Sequence, residues 1–346
     1  AEPGWYSLWH GEPRVARPEL IAPHLLLRRD PAGRLFAAGL DITPKDTDSR
    51  FGQWLLTQDR IIIRNAAIVW QDELRQAPPL ELKNLNLLLD TGWRTHHFGL
   101  TAEPPAALAA PLDIRGKFSG DDVRRLDAWT GEAYVHTDRI DLASWRPWID
   151  YPIKLAQGGG ALRLWLNFAE AHIPAATADV RLSDTRLRLR DDLPELDLTN
   201  LNGRVSMTRL TDELSLATQQ LALATRDGVH LPATDFSLRW RPPSKKEAPQ
   251  GDITANHLDF DVLRRLASHL PLPETVHAQI VRHAPQGRLD DLHLNWHGTF
   301  EQLDQWSIKG RMQQLSLRDF GPLAAVTGIS GEIAGDQRSG VLRLDA

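Results

Sequence analysis

Apolar and polar residues alternate along several stretches of this chain, and the alternation predicts β-strands with one apolar and one polar face. Side chains on a strand point alternately to the two sides of its sheet, so residues two apart share a face. In 162–168 every second residue is apolar, while Arg163, Trp165 and Asn167 form the other face. The stretches 236–241 and 292–297 repeat this pattern. The apolar positions predicted in this way are Leu162, Leu164, Leu166, Phe168, Phe236, Leu238, Trp240, Leu292, Leu294 and Trp296.

Turn-forming residues separate the alternating stretches and predict a mainly β fold with antiparallel strands. Asp30-Pro31-Ala32-Gly33 places proline and glycine where a type I turn favours them, and it predicts a hairpin between strands at 25–27 and 35–36. Longer strands are predicted over 60–70 and 80–89. The three glycines 158–160 come before a strong strand pattern and predict a bend or a β-bulge.

Helices are predicted to be few and short, near 119–130 and 260–270, where apolar residues recur at helical spacing. Strand–turn–strand phrases recur at irregular intervals, as in 200–205 and 328–333, which is typical of a loose repeat array. An apolar sheet face of this kind must either pack against protein or hold something apolar. That choice is the functional question for this chain.

Composition excludes several classes of function. The chain has 346 residues, 42% of them hydrophobic, which predicts a folded protein. Its net charge of −5, with basic residues spread along the length, argues against a nucleic-acid partner. It has no cysteine, so disulfides, thiolate nucleophiles and cysteine-ligated metals are excluded. No apolar run is long enough to span a membrane by itself.

No motif for catalysis, cofactor binding or metal binding stands out, and we expect a protein that is not an enzyme and has no cofactor. The phosphate-binding loop, the dinucleotide fingerprint and the nucleophile elbow are all absent from the sequence. His293 and His297 are four positions apart in a strand pattern, about 13 Å, which is too far for one ion. The acidic pairs 121–122, 191–192 and 290–291 are predicted at turns or helix starts, where carboxylates cap backbone N–H groups.

Several phrases of the chain, in their order, resemble the periplasmic part of the YhdP proteins. These belong to the AsmA-like group, which also includes TamB. The phrases are LWHGEP at 8–13, LIAPHL at 20–25, LRRDPAG at 27–33, PQGRLDDL at 285–292 and VTGISG at 326–331. Each phrase alone carries little information, because it consists of turn and strand residues. Their joint order carries the resemblance.

The resemblance implies an elongated, curled antiparallel sheet, shaped like a taco, whose concave apolar face carries glycerophospholipid between the inner and outer membranes. It implies an N-terminal β segment at 1–110 that follows a transmembrane anchor missing here, and a repeating β-groove segment at 111–346. The partners would be phospholipid acyl chains, the inner membrane through the missing helix and, as a further candidate, outer-membrane components. The location would be periplasmic, with an inner-membrane anchor in the full-length protein, and the apolar positions given above would line the groove.

Two alternatives stay open from the residues alone. The sheet edges could pair with a partner strand in a structural or assembly module for the outer membrane. A closed β-sandwich could instead bury the apolar faces and bind ligands such as glycans through some of the 12 tryptophans. Lipid extracted from the purified protein would separate the conduit from the assembly module. The conduit and the closed sandwich differ in whether protein covers the apolar faces, which a structure would show.

Overall fold

A computed structural model describes residues 18–43, 58–92, 94–120, 123–245, 247–299, 302–318 and 325–345. This part of the chain is mainly β, with nineteen strands and a few short helices, which confirms the predicted fold class. The strands are joined largely by antiparallel pairing of neighbours in the sequence. Contacts divide the chain into two compact units, Ala1–Tyr151 with Gly159–Ala178, and Pro152–Gly158 with Asp179–Ala346.

The first unit contains the N-terminal strands. Their bounds are β1 (Glu19–Ile21), β2 (His24–Arg29), β3 (Leu35–Ala37), β4 (Leu40–Asp41), β5 (Arg60–Asp72), β6 (Leu80–Thr91), β7 (His96–Glu103), β8 (Leu112–Ser119) and β9 (Thr130–Asp141). Two further strands, β10 (Lys154–Ala169) and β11 (His172–Arg188), contribute residues to both units. The predicted strands at 60–70 and 80–89 are β5 and β6.

Strands β5 to β10 pair in sequence order and all antiparallel. The predicted hairpin is present, because β2 and β3 pair antiparallel and the Gly33 N–H donates to the Asp30 carbonyl at 2.9 Å. Strands β1 and β2 depart from the antiparallel pattern, since both run parallel to β5.

A compact core closes one part of the first unit. Trp145, in a 3-10 turn at Ala143–Trp145, packs with Leu80, Ala109 and Ile140, and its indole N–H donates to the Leu108 carbonyl at 3.3 Å. Burial, and then the nearby Asp141 charge, raises the pKa of the Tyr151 hydroxyl beside this core to about 12. This is an ordinary filled interior, and the predicted groove residue Leu162 packs against it.

The second unit contains the remaining strands and two α-helices. The strands are β12 (Leu196–Arg209), β13 (Leu214–Thr225), β14 (His230–Arg241), β15 (Gln250–Asp259), β16 (Gln286–Thr299), β17 (Gln302–Leu317), β18 (Val326–Asp336) and β19 (Gly340–Leu344). They pair antiparallel in sequence order.

Helices interrupt the strands where the sequence predicts them, and once where it does not. A 3-10 segment at Val123–Ala128 lies in the region 119–130. Helix α1 (Phe260–Leu266) begins at the N-cap Asp259, whose carboxylate accepts the Val262 N–H at 3.0 Å, and a 3-10 turn at Ala267–His269 follows it. Helix α2 (Glu274–His283) was not predicted, although the preceding proline and the acidic first turn are ordinary start signals.

Polar doublets inside the strands mark β-bulges. In each doublet the second residue has a positive φ of 44–52°, and a buried or half-buried residue follows it. These second residues are Asn65, Asn84, Gln220, Asp291 and Gln314, each at a register shift of its strand, and Asp184, whose backbone has the same left-handed conformation. At three bulges a polar side chain of the next strand accepts the freed backbone N–H, for example Asp235 from Gln220 at 2.6 Å. A bulge adds one residue to one strand and bends it locally.

The bulges correct one prediction from the sequence. The pair Asp290-Asp291 was expected at a turn or helix start, but it lies inside β16 at such a bulge. The carboxylate of Asp290 is held there by the side chains of His257 at 2.7 Å and Gln313 at 2.5 Å. The pair 191–192 does lie in a turn, and the pair 121–122 lies outside the described residues. Glycines 158–160 lie within β10, next to a register shift before Leu162.

Candidate functional site

An apolar row crosses six strands of the first unit. Residues that oppose each other in antiparallel strands project to the same face, so the strand register identifies the row. The row consists of Ile63, Leu87, Leu100, Ile114, Val135 and Leu164, from β5 to β10 in order. All six residues are half-buried. Ile63, Leu87 and Leu100 also pack against a small buried cluster of Ala66, Leu85 and Ala102. Part of each side chain in the row nevertheless stays uncovered by protein.

Two parallel rows extend this face along the strands. One contains Phe98 and Leu166, and the Phe98 ring lies so close over Gly116 that a Cβ there would stand 2.7 Å from a ring carbon. The other contains Phe118 and Phe168 and begins at His96. The predicted residues Leu162, Leu164, Leu166 and Phe168 are all half-buried and alternate with exposed residues, as expected.

His96 is the buried titratable group of this face. Its ring stacks on Phe118 with centroids 4.8 Å apart. Burial lowers the pKa of His96, although the Gly120 carbonyl, 3.1 Å from Nε2, opposes the shift. Since a carbonyl only accepts, Nε2 carries the proton and the neutral ring leaves Nδ1 to accept from Thr91 at 3.3 Å. The histidine is thus held uncharged within the apolar face.

The opposite face of the first unit is polar. Arg163 opposes His136, and His136 opposes Asp113, which binds Arg115 at 2.6 Å. Trp165, 36% exposed, lies on this face against Tyr134 with ring centroids 5.2 Å apart. The alternation of residues 162–168 therefore separates two chemically different faces.

An equivalent apolar row crosses six strands of the second unit. It consists of Met207, Leu216, Leu238, Ile253, Leu294 and Ile308, from β12 to β17 in order. All six are half-buried. The register thus brings together the predicted residues Leu238 and Leu294, with Ile253 between them.

A second row, which contains three tryptophans, runs parallel to this central row and is displaced from it by two residues along each strand. Its members are Arg209, Leu214, Trp240, Gly251, Trp296 and Trp306. The indole of Trp296 lies directly over Gly251, where a Cβ would come within 2.0 Å of the ring. Trp296 is 8% exposed as a result, whereas Trp240 is 38% exposed. We call these residues the tryptophan row.

The same face is covered by protein toward the other end of the strands. Phe236 is half-buried, and its neighbours across the strands, Ala255 and Leu292, are both 4% exposed. Beyond them Leu289 and Met312 oppose each other and are buried. Helix α1 contacts β15 and β16 and buries Leu266 in this region. The face is therefore covered at the helix end and partly exposed from the central row to the tryptophan row.

The face of the second unit opposite the apolar rows is polar, because the residues between the apolar positions of each strand are mostly polar or charged. Ser237 and Thr254 share a hydrogen bond at 2.6 Å, and His293 follows them opposite Lys309. Arg239 binds Asp252 at 3.1 Å. His293 and Asn295 are exposed, so the predicted alternation of 292–297 also separates two faces.

The sequence pattern predicted only Leu164 in the first row and only Leu238 and Leu294 in the second. The unpredicted members are Ile63, Leu87, Leu100, Ile114, Val135, Met207, Leu216, Ile253 and Ile308. Their strands also alternate, as at Phe98 and Leu100, but the polar doublets shift the period within several of them. Reading each polar doublet as a bulge would have recovered many of these positions.

Comparison with known protein families assigns the chain. A model of the family described as YhdP protein matches residues 2–346, nearly the whole sequence. The chain belongs to the YhdP family. The family is AsmA-like, is associated with the membranes of the cell envelope, and belongs to a group linked to lipid transport. No curated protein and no solved structure matches the chain. In the part of the chain that the structure describes, the helices are all too short or too polar to span a bilayer.

Proposed function

We propose that this YhdP-family chain is a segment of a conduit that carries glycerophospholipid between the inner and outer membranes, without catalysing a reaction. The observation that carries the proposal is the pair of in-register apolar rows, one in each unit, whose side chains are only half-buried. In a closed sandwich such side chains would interdigitate in a dry interior. Acyl chains of a bound lipid supply the missing apolar contact.

The energetics favour an acyl ligand. Each CH2 group of a lipid tail costs about 0.8 kcal/mol when it is exposed to water. A row of aliphatic side chains removes most of that cost for both tails while the head group stays hydrated. The rows carry no convergent polar groups, apart from the neutral His96 and Arg209 at their margins. A smooth aliphatic surface binds tails without holding them at one point, which suits passage of cargo.

The partners and location of the whole protein form part of the proposal. Membership of the YhdP family supports a membrane-associated protein of the cell envelope. To this we add, as part of the proposal, a periplasmic location with an inner-membrane anchor in the full-length protein and lipid acyl chains as partners. Outer-membrane components are further candidate partners. The function requires neither nucleic acid nor a cofactor.

The test measures lipid content and stability together. The purified protein is extracted with organic solvent and its lipids are quantified by mass spectrometry. Leu294→Asp places a charge on the apolar row, and we expect it to lose bound phospholipid while the protein stays folded and its melting temperature falls only modestly. His293→Asp is the matched control, because the neighbouring side chain lies on the polar face opposite Lys309. Leu164→Asp and Arg163→Asp repeat the comparison in the first unit.

Two outcomes would contradict the proposal. If the wild-type protein yields no phospholipid, the conduit is wrong and an assembly role becomes the better account. If Leu294→Asp unfolds the protein, the row is a closed core, since an unpaired buried charge is strongly destabilising.

A further inference from the structure

The tryptophan row differs from the rest of the apolar face in both chemistry and exposure. Its indoles combine a large apolar surface with a polar N–H group, and such side chains concentrate where hydrocarbon meets water. The central row next to it is aliphatic except for the thioether of Met207. The face thus changes from aliphatic to amphipathic along the strand direction, in the way that a lipid changes from tail to head.

Arg209 places a cation at the end of the tryptophan row. It opposes Leu214, which opposes Trp240, so its side chain projects to the apolar face. Arg209 is exposed, and no ion pair or hydrogen bond joins its side chain to another of the residues that the structure describes. By contrast, Arg241 nearby is bound to Glu213 at 3.0 Å. A guanidinium without a carboxylate partner is suited to the oxygens of a phosphodiester.

The length of the face fits one layer of acyl chains. Along β16 the partly exposed stretch of the face begins at Trp296 and ends at the buried Leu292, four positions away, or about 13 Å at a rise of 3.3 Å per residue. The acyl layer of one leaflet is about 15 Å thick, half of a hydrocarbon core of about 30 Å. A lipid with its head at the tryptophan row can therefore place most of each tail against this stretch. Protein covers the face at the helix end, where the tails would end.

From these observations we infer that the tryptophan row marks the head-group level of a bound phospholipid. Arg209 contacts the phosphodiester, the indoles of Trp240 and Trp306 lie beside the glycerol, and the acyl chains run along the strands over the central row toward Leu292. This inference rests on the proposed function and adds to it the orientation of the lipid and the group that contacts its head. It makes the second unit bind phosphate-bearing lipids more tightly than neutral ones.

Bromine atoms on the acyl chains test the orientation, because they quench only nearby tryptophans. The full protein is loaded with phosphatidylglycerol brominated either close to the glycerol or close to the methyl ends. The fluorescence lost in Trp240→Phe and in Trp306→Phe isolates the signal of each indole. We expect bromines near the glycerol to quench these signals more strongly than bromines near the methyl ends. Trp165, exposed on the polar face, is the control, and neither lipid should quench its signal.

Binding measurements test the cation. We expect Arg209→Gln to weaken binding of phosphatidylglycerol by about threefold to tenfold and to leave diacylglycerol binding unchanged. Arg239→Gln, on the polar face, should change neither affinity. Inorganic phosphate at millimolar concentration should not displace the lipid, because the acyl chains supply most of the binding energy. Displacement by phosphate would indicate a free-anion site in place of a head-group site.

The failures of the two proposals are distinguishable. Stronger quenching by bromines near the methyl ends, or an Arg209→Gln variant that binds both lipids like the wild type, overturns the inference while the conduit stands. Absence of any retained lipid overturns the proposed function and the inference with it.

Discussion

Gly251 tests whether the tryptophan row packs as the structure shows. A Cβ at this position would lie 2.0 Å from the Trp296 ring, so Gly251→Ala must displace the indole. A tryptophan buries about 150–250 Å2, and losing about 100 Å2 of that costs about 2.5 kcal/mol at 25 cal/mol per Å2. Replacing a strand glycine by alanine returns about 0.5–1 kcal/mol through the unfolded chain. The expected net loss of unfolding free energy is about 2 kcal/mol.

Urea unfolding followed by circular dichroism measures this loss, with an unchanged m-value as the condition for comparing variants. Gly99→Ala is the matched control, because Gly99 also lies in a strand and its Cβ would meet no atom within 4 Å. We expect that control to be neutral or slightly stabilising. A double-mutant cycle with Trp296→Leu isolates the contact, since the smaller side chain leaves room for the new methyl group.

Two results would refute the reasoning. Gly251→Ala could prove as harmless as Gly99→Ala, in which case the indole does not lie over the glycine. Alternatively, Gly251→Ala could cost the same in the wild-type and Trp296→Leu backgrounds. The loss would then come from the backbone of β15 and not from the aromatic contact.

Three further predictions concern stability. Asp235→Ala removes the acceptor of the exposed Gln220 N–H and should cost about 0.5–1.5 kcal/mol in urea unfolding, whereas Asp235→Asn, which keeps an oxygen there, should cost less. Leu289→Asp should lower the unfolding free energy by about 3–5 kcal/mol and Leu294→Asp by about 1–2 kcal/mol, because Leu289 is buried and Leu294 is only half-buried. Equal losses in the two variants would contradict this difference in burial. Burial lowers the pKa of His96, so the folded state binds fewer protons than the unfolded state. The unfolding free energy should therefore fall as the pH drops below about 6.5. If the unfolding free energy of a His96→Asn variant falls equally steeply with pH, His96 is not the cause.

The strands and their two faces could be predicted from the sequence because they depend on local geometry. The period of two at 162–168 and at 292–297 follows from the pleat of any β-strand, and both stretches have the predicted alternation of exposure. The hairpin around Asp30-Pro31 likewise follows from residues that are adjacent in the chain. Resemblance of ordered phrases also indicated the YhdP family, which the match over residues 2–346 confirms.

The bulges limited what could be predicted within a strand. Asp290-Asp291 reads as a turn because two adjacent carboxylates in a sequence usually cap backbone N–H groups. In the folded chain the partners of Asp290 come from neighbouring strands, namely His257 and Gln313. The left-handed backbone at Asp291 then restores Leu292 to the apolar face. Partners distant in sequence cannot be inferred from local pattern alone.

The amino-acid pattern is enough to assign which side chains share a face of a strand, since that depends only on the alternation of neighbours along one chain segment. The alignment of apolar positions between strands emerges only in the folded sheet, because hydrogen-bond register and bulges set whether Leu238, Ile253 and Leu294 form one row. The extent to which protein covers that row also emerges only in the fold. Coverage depends on what packs above a side chain, and α1 lies against β15 and β16 at one end while the central row stays half-exposed.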